Sequence, residues 1–235
     1  MSASLLSVVI PVYDEERILE SAVRRLYERL GALGRPFEIV LAENGSRDRT
    51  AAVASALSRE LPCVRVLRVP APNYGRALKE GLEAALGDVV VCDEIDLGDV
   101  DFYRRALPLV DAGADLVVAS KRHPASTDRR PLVRRAGTAA VTAVLRLGLG
   151  FTGTDTHGLK ALRKDRLLPI ARACRIEHDL FASELVVRAA RAGLDVRELP
   201  LDLREIRPPS VGLWRRVPRV LRDIVRLVYV IRFCG

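Results

Sequence analysis

The chain has 235 residues and a mass of 25.9 kDa, enough for one large α/β domain, which excludes a small scaffold that depends on disulfides or metals. A content of 49% hydrophobic and 29% charged residues excludes a chain dominated by disorder. The four cysteines show no CxxC or other metal-ligand spacing, and the N-terminal segment lacks the basic start of a secretory leader. We therefore expect a protein of the reducing cytoplasm.

The formal net charge of +8 is concentrated in two segments. Residues 121–135 and residues 211–235 each contain six basic residues and one acidic residue, so the rest of the chain is slightly acidic. Two localised patches indicate anions bound at particular places, although each could also be ordinary surface in an arginine-rich chain. Aromatic residues make up only 5% and no DNA- or RNA-binding motif occurs, so we predict no nucleic-acid partner.

Apolar, β-branched runs alternate with helical periodicity over the first half of the chain. Strands are predicted at 5–11, 37–42, 64–69, 88–96 and 114–120, with helices between them at 16–30, 48–60, 75–86 and 101–112. This alternation predicts a doubly wound α/β fold, with a mostly parallel central sheet and helices on both of its faces.

The alternation becomes less regular after residue 120. A basic loop comes first, and it is followed by a helix at 132–147, a strand-like segment at 158–163, a helix at 179–192 and a strand at 194–201. No Gly/Ser-rich linker separates the two halves, so we predict a single catalytic domain over 1–210.

The remaining segment, 211–235, predicts a basic amphipathic helix. Four arginines recur along it at three- and four-residue steps and share one face: Arg215, Arg219, Arg222 and Arg226. Its apolar residues fall short of the roughly 20 that a helix needs to cross a bilayer. Two interpretations stand: peripheral contact of residues 211–233 with the inner face of the cell membrane, or packing of the apolar face on the domain.

Ligands of an open parallel sheet bind beyond the carboxyl ends of its strands. The first four predicted strands are followed by PVYDEE, ENGSRDRT, NYGR and DEID, and neither a GxGxxG nor a Walker A loop occurs. In the fourth motif, strand alternation puts Glu94 and Asp96 on one side, where two carboxylates can share a cation bound to a diphosphate. Oxygen ligands favour Mg²⁺ or Mn²⁺ over zinc. The alternative interpretation of this acidic motif is a solvated loop or a helix cap.

The order of these motifs resembles that of the inverting GT-A glycosyltransferases of family 2. PVYDEE is similar to the family's PVYNEE, ENGSRDRT to its DDGSTDGT and NYGRALKEGLEAALGD to its NxGKGxAxxxGxxxAxGD, and EIDLGD falls on its DxD segment. Further along, ADLVVASKRH, DTHGLKALRKD and RELPLDLREIRPPS resemble segments of the polyprenyl-phosphate (dolichyl-phosphate) mannosyl- and glucosyltransferases. The resemblance covers roughly residues 5–210 and implies the nucleotide-diphospho-sugar transferase fold.

The resemblance also implies roles for individual residues. Nucleotide-sugar binding would fall to Pro11, Tyr13, Glu15, Glu43, Asn73, Arg76 and Asp93. The catalytic set would be Asp96, Lys121, Arg122 and Arg207, with Glu94 and Asp96 binding Mg²⁺ or Mn²⁺. The acceptor phosphate would lie against Arg134, Thr138, Lys160 and Ser210. Asp155 is one residue closer to Gly158 than the family pattern asks, so no firm role is carried over to it. His157 is interpreted as a surface or hydrogen-bonded histidine and not as a ligand.

The reaction implied is transfer of a hexose from GDP-mannose or a UDP-hexose to a polyprenyl phosphate. This acceptor is already an anion, so it needs surrounding cations rather than a general base. Relatives that act on hydroxyls carry a catalytic Asp in an ED pair, which FASELVVRA lacks, although Glu177 or Asp179 could serve as a base. Two alternatives are a soluble transferase acting on a small hydroxyl acceptor and a non-catalytic nucleotide-sugar-binding protein, the latter suggested by the altered DxD. The oligomeric state stays open, a homo-oligomer included.

Overall fold

The computed structural model describes residues 4–96, 99–127, 132–178, 180–201 and 213–233. Of residues 132–134 and 213–221 it describes the helical backbone only.

Strands and helices alternate along these ranges. The strands are β1 Leu6–Val12, β2 Phe37–Glu43, β3 Val64–Arg68, β4 Val89–Cys92, β5 Leu116–Ser120, β6 Lys160–Arg163 and β7 Val196–Pro200. The helices are α1 Leu19–Gly31, α2 Thr50–Glu60, α3 Tyr74–Ala84, α4 Val100–Asp111, α5 Leu132–Leu149, α6 Lys164–Ala173, α7 Phe181–Arg191 and α8 Leu213–Phe233.

The strands form one sheet in the order β3-β2-β1-β4-β6-β5-β7. β6 runs antiparallel to both of its neighbours, and the other adjacent strands run parallel. The predicted mostly parallel α/β sheet is therefore confirmed. The carboxyl ends of β1, β2, β4 and β5 lie at one edge, together with the amino end of β6 that begins at Lys160.

β1 shows why the sheet is buried on both faces. Val8 and Ile10 belong to a core cluster that includes buried residues of α1 and α4, whereas Val9 belongs to the cluster on the opposite face with residues of α3 and α7. α1 contributes Leu19, Val23, Leu26 and Leu30, spaced so that they share one side of the helix. A strand between two helical layers has no solvent-facing side, which explains its continuous apolar run.

Three features differ from the sequence prediction. β4 ends at Cys92 rather than at residue 96, so DEID lies in the loop after the strand. α6 was not predicted, because Pro169 removes an N–H from the helix interior, but buried Leu167 and Ala171 still pack it onto the domain. The antiparallel direction of β6 was not predicted either, since periodicity carries no information about strand direction.

The approach of the 153–158 loop to β5 depends on Gly158. A Cβ atom on this residue would lie 1.7 Å from the carbonyl oxygen of Ala119. We predict that Gly158→Ala lowers the free energy of unfolding by about 3 kcal/mol or more, because backbone must shift to admit the methyl group. Urea denaturation measures this change.

Gly137→Ala is the matched control, because no atom lies within 4 Å of the added Cβ on α5. It should raise the free energy of unfolding by about 0.5–1 kcal/mol, the gain from replacing glycine inside a helix. Equal unfolding free energies for the two variants would contradict the close approach at Gly158.

Candidate active site

The loops after β1 and β2 are joined by carboxylates that accept backbone N–H groups across the gap. Asp14 Oδ1 accepts the N–H of Arg47 at 2.7 Å, and Glu16 Oε2 accepts the N–H of Arg49 at 2.9 Å. In return, Asp48 Oδ2 accepts the N–H of Glu16 at 3.1 Å. Asp14 has a φ of 53°, a left-handed conformation that aspartate tolerates better than most residues. The acidic residues of the two motifs therefore shape this edge of the site.

Amide and carboxylate side chains also hold the loop after β2 and the start of α3 in place. Buried Glu43 accepts the N–H of Ser46 at 2.7 Å, and buried Asn44 accepts the N–H of Asn73 at 2.8 Å. Asn73 is the N-cap of α3 and accepts the N–H of Arg76 at 3.2 Å. Glu43 and Asn73 thus maintain the loop geometry, and their contact with a nucleotide stays a prediction.

The start of α3 is covered by the segment before α7. The backbone N–H of Arg76 also donates to the carbonyl of Glu177 at 3.0 Å, and a Cβ on Gly75 would lie 2.5 Å from that oxygen. Only glycine fits there without a shift of the backbone. The Arg76 side chain is exposed and pairs with Glu80 at 2.6 Å, so a diphosphate would compete with Glu80 for it.

Glu184, which sequence reasoning did not single out, holds that covering segment in place. Its carboxylate is fully buried and accepts the N–H groups of Arg175 at 3.0 Å and Ile176 at 2.8 Å. The other oxygen accepts Nε of Arg188 at 2.8 Å, one helical turn further along α7. A glutamate among apolar residues with an arginine four residues later was the available signal.

Asp93, the first residue after β4, is turned towards α4. Its carboxylate is buried, accepts the hydroxyl of Tyr103 and accepts the N–H of Glu94 at 2.7 Å. Burial raises the pKa of Asp93 to about 7, against the lowering effect of those two hydrogen bonds. This residue anchors the β4 loop, and its predicted contact with the nucleotide sugar is not tested.

Glu94 and Asp96 lie at the centre of the strand ends. Asp96 is exposed, and Glu94 is half-buried within the electrostatic reach of Lys121, Lys160 and Asp155. Burial raises the pKa of Glu94, Lys121 and Lys160 act to lower it, and Asp96 acts to raise it. A positive charge placed between the two carboxylates would relieve their repulsion.

Lys160, the first residue of β6, lies beneath this cluster rather than on the surface. It is 4% exposed, and its ammonium donates to the carbonyl of Gly158 at 2.7 Å. Burial lowers the pKa of Lys160, while Cys92, Asp155 and Glu94 act to raise it. Its predicted contact with an acceptor phosphate is untested, and its field reaches both Glu94 and Asp155.

Asp155 is the second carboxylate beside Lys160. It is 1% exposed and accepts three backbone N–H groups, from Lys121 at 3.2 Å, Thr156 at 2.7 Å and His157 at 3.0 Å. Burial acts to raise its pKa, but the charge of Lys121 and the N–H of His157 outweigh it and the pKa is lowered. Asp155 thus links the 153–158 loop to the start of the β5–α5 connection, a contact that sequence spacing did not disclose.

The carboxylates fit a divalent cation that arrives with a diphosphate. Mg²⁺ bound to a nucleotide takes one or two protein carboxylates and completes its shell with phosphate oxygens and water, which Glu94 and Asp96 can satisfy. Across the residues that the structure describes, no group of three His, Cys, Asp or Glu side chains is placed to hold a metal. The donor set therefore suits a shared ion and not a closed protein cage.

An open groove of about 580 Å³ adjoins the carboxylate cluster along the β5–α5 connection. We call it the basic groove, and its lining is Lys121, Arg122, His123, Ser126, Arg135, Ala136 and Ala139. The hydroxyl of Ser126 donates to the carbonyl of Ser120 at 2.6 Å and accepts the N–H of Leu201 at 3.0 Å, which fixes the loop on the sheet. Lys121 belongs both to this groove and to the surroundings of Glu94.

The remaining predicted residues divide into two groups. Pro11, Tyr13 and Glu15 occupy alternate positions at the end of β1 and just after it, and each is half-buried. Thr138 is half-buried on α5. Four predicted groups lie outside the described part of the chain: Arg207, Ser210, Asp179 and the side chain of Arg134.

Comparison with solved structures identifies the fold. Glucosyl-3-phosphoglycerate synthase from Mycobacterium tuberculosis, solved with Mn²⁺, UDP-glucose and phosphoglyceric acid, matches with a TM-score of 0.68 and 21% identity, over 97% of this chain and 80% of that chain. The fold is thus that of the GT-A nucleotide-sugar transferases. The sequence model of glycosyl transferase family 2 matches residues 7–157, and the chain belongs to that family.

Relatives of known sequence extend the comparison. Glycosyltransferase AglD from Haloferax volcanii is 30% identical over 94% of this chain and 36% of its own length. The undecaprenyl-phosphate 4-deoxy-4-formamido-L-arabinose transferase of Pseudomonas paraeruginosa is 43% identical over 40% of this chain and 28% of its own length. An uncharacterized glycosyltransferase from Mycobacterium bovis is 30% identical over 86% of each chain. The chain thus spans about a third of the first two relatives.

The buried pair on α7 yields a stability prediction. Glu184→Gln should lower the free energy of unfolding by about 3–5 kcal/mol, because Arg188 would keep its charge in a buried position without a partner. Urea denaturation of both proteins tests this. Glu83→Gln is the control: its pair with Arg172 is exposed and should contribute less than about 1 kcal/mol. Equal losses of unfolding free energy in the two variants would show that the buried pair of Glu184 and Arg188 contributes no more than the exposed pair.

The raised pKa of Asp93 predicts a pH dependence. Between its ordinary pKa of 3.8 and about 7, the unfolded chain releases the Asp93 proton while the folded chain keeps it, so the free energy of unfolding falls as pH rises. Relative to Asp93→Asn, wild type should lose up to about 1.4 kcal/mol per pH unit in this window. Denaturant unfolding at several pH values measures it.

Asp101→Asn, on the exposed surface of α4, should give a pH profile parallel to that of wild type. A constant difference between wild type and Asp93→Asn from pH 4 to pH 7 would contradict the buried, protonated state of Asp93.

Proposed function

We propose that the protein moves a hexose from a nucleotide diphosphate sugar to a polyprenyl phosphate, with inversion, at the cytoplasmic face of the cell membrane. One observation carries this proposal: the basic groove adjoins the Glu94 and Asp96 carboxylates through Lys121, which is common to both. A cation-lined groove suits an acceptor that is itself an anion. The name of the Pseudomonas relative, a transferase acting with undecaprenyl phosphate, supports the same acceptor class.

The donor would lie over the ends of β1, β2 and β4. Tyr13 and Glu15 are candidates for the base and ribose, and Arg76 for the diphosphate. Glu94 and Asp96 would hold the Mg²⁺ or Mn²⁺, whose charge offsets that of the departing diphosphate. The solved relative contains Mn²⁺ with UDP-glucose, which supports a divalent ion in this class of protein.

The acceptor would bind in the basic groove and attack from there. A phosphate oxygen of the polyprenyl phosphate forms a bond to the anomeric carbon while the bond from that carbon to the diphosphate breaks, and the nucleoside diphosphate leaves. Attack opposite to the leaving group inverts the anomeric centre. Lys121 and Arg122 would hold the phosphate and screen its repulsion from the donor.

The carboxylates near α7 bear on the acceptor type. Glu184 is committed to two backbone N–H groups and to Arg188, so it is not available to take a proton from a hydroxyl. Glu177 is exposed, and its charge acts on Arg76 at the start of α3. An anionic acceptor needs neither residue, whereas a small hydroxyl acceptor would need Glu177 or Asp179 as a base.

The test is incubation of the purified protein with GDP- and UDP-sugars, Mg²⁺ or Mn²⁺ and a short polyprenyl phosphate, followed by mass spectrometry of the lipid fraction. A hexosyl phospholipid is expected with one donor. Asp96→Ala should lower its formation by about 100-fold or more, the scale of a lost transition-state contact. Asp101→Ala, an exposed carboxylate on α4, should leave the rate unchanged.

Other outcomes distinguish the alternatives. A nucleotide sugar that binds without lipid product, but is consumed when a small hydroxyl acceptor is added, would replace the proposed acceptor and make Glu177→Gln the next variant. Binding without turnover on any acceptor would indicate a nucleotide-sugar-binding protein.

A further inference from the structure

Helices α5 and α8 pack on each other and on the domain with one face of each. Gly148 of α5 faces Val228 of α8, where a Cβ would lie 3.3 Å from a Val228 methyl group, and Arg232 Nε donates to the carbonyl of Gly148 at 2.8 Å. Ile224 and Leu227 are buried in the core cluster that contains Leu145 of α5. The apolar face of α8 thus packs on the domain, as one of the two interpretations of the sequence predicts.

The opposite side of α5 is exposed although its residues are apolar. Five side chains form this stripe, at spacings that place them along one side of the helix: Ala136, Ala140, Ala143, Val144 and Leu147. Leu147 is 87% exposed. Ala136 also lines the basic groove, so the stripe begins at the groove and runs about 16 Å along α5.

The exposed side of α8 combines arginines with large apolar groups. Its members recur with helical periodicity and share one side of the helix: Arg222, Val225, Arg226, Tyr229 and Phe233. Val225 and Phe233 are 71% and 72% exposed, and the rings of Tyr229 and Phe233 lie 5.4 Å apart. A helix that faced only water would place polar groups at these positions.

This exposure is concentrated in one part of the molecule. Of the seven large hydrophobic side chains that are exposed within the described residues, five lie on α5 and α8. Single exposed hydrophobics are ordinary, but a clustered set next to basic residues marks an interaction surface. We call the two exposed stripes together the α5–α8 face.

We propose that the α5–α8 face docks on an anionic lipid bilayer. Arg222 and Arg226 would meet lipid phosphates, Tyr229 would lie at headgroup depth, and Leu147 and Phe233 would reach the acyl boundary. Two copies of the face would set arginines against arginines, which disfavours self-association. None of the helices within the described ranges is long and apolar enough to span a bilayer, and docking of this kind requires no such helix.

Docking would serve the proposed transfer, on which this inference rests, by bringing the mouth of the basic groove to the membrane surface. The phosphate of a membrane lipid lies at headgroup depth. The α5 stripe starts at Ala136 in that groove, so lipid phosphates would be presented beside Lys121 without leaving the bilayer. This placement gives the exposed apolar stripe on α5 a purpose that core packing does not.

Vesicle sedimentation without any nucleotide sugar tests the face directly. Wild type should bind vesicles that contain phosphatidylglycerol and bind pure phosphatidylcholine vesicles much more weakly, with binding to the anionic vesicles weakened by salt. Phe233→Glu should lower the partition coefficient by about tenfold or more and Arg226→Gln by about fivefold. Leu86→Glu changes a residue that is 67% exposed elsewhere on the surface and should leave binding unchanged.

Three results would overturn the proposal: no binding of wild type to anionic vesicles, equal loss in Leu86→Glu and Phe233→Glu, or a wild-type dimer in light scattering that Phe233→Glu dissociates. Circular dichroism of each variant confirms that the fold is retained. Vesicle binding with no lipid product in any transferase assay would leave docking standing and remove the proposed function. Product from a short, water-soluble polyprenyl phosphate without vesicle binding would support the proposed function and contradict docking.

Discussion

A buried ammonium group needs negative charge close to it, and this requirement organises the candidate site. Lys160 stands on β6, between β4 and β5, and the charges that offset it are those of Asp155 and Glu94. Removing either carboxylate would leave a buried cation undercompensated, which is costly in a protein interior. Lys160, on the antiparallel strand between β4 and β5, thus lies within electrostatic reach of both Glu94, the carboxylate proposed for the donor and its metal, and Lys121, a cation that lines the basic groove.

Much of the acidic character of the strand-end motifs stabilises loops rather than facing a ligand. Asp14 and Asp48 join the first two loops through backbone N–H groups, and Asp93 anchors the loop after β4 against Tyr103. Outside these motifs, Glu184 holds the segment over α3. These contacts keep the free strand ends rigid, so that little reorganisation is needed when two phosphorylated partners meet there. They also explain why acidic residues recur in the motifs without forming a metal cage.

The sequence predicted the α/β sheet because buried parallel strands produce long apolar runs, as in β1, and because helical stripes such as that of α1 separate them. Glu94 and Asp96 were selected because residues after strands meet at one edge, and Lys121 because of the resemblance to the polyprenyl-phosphate transferases. Strand direction and burial depth were not predictable: Lys160 was predicted to contact the acceptor phosphate, and the position of β6 between β4 and β5 buries it. Asp155 was set aside because of its spacing to Gly158, and Glu184 was not singled out although Arg188 follows it by four residues. The backbone N–H groups that both carboxylates accept leave no trace in side-chain spacing.

We propose that the basic groove selects an acceptor by its phosphate. The most direct measurement is a pair of reactions under identical conditions, one with a short polyprenyl phosphate and one with the polyprenol of the same length, each with the donor that binds. We expect product from the phosphate and none from the alcohol, because Lys121 and Arg122 would have no anion to hold. Equal turnover of the two acceptors would contradict it.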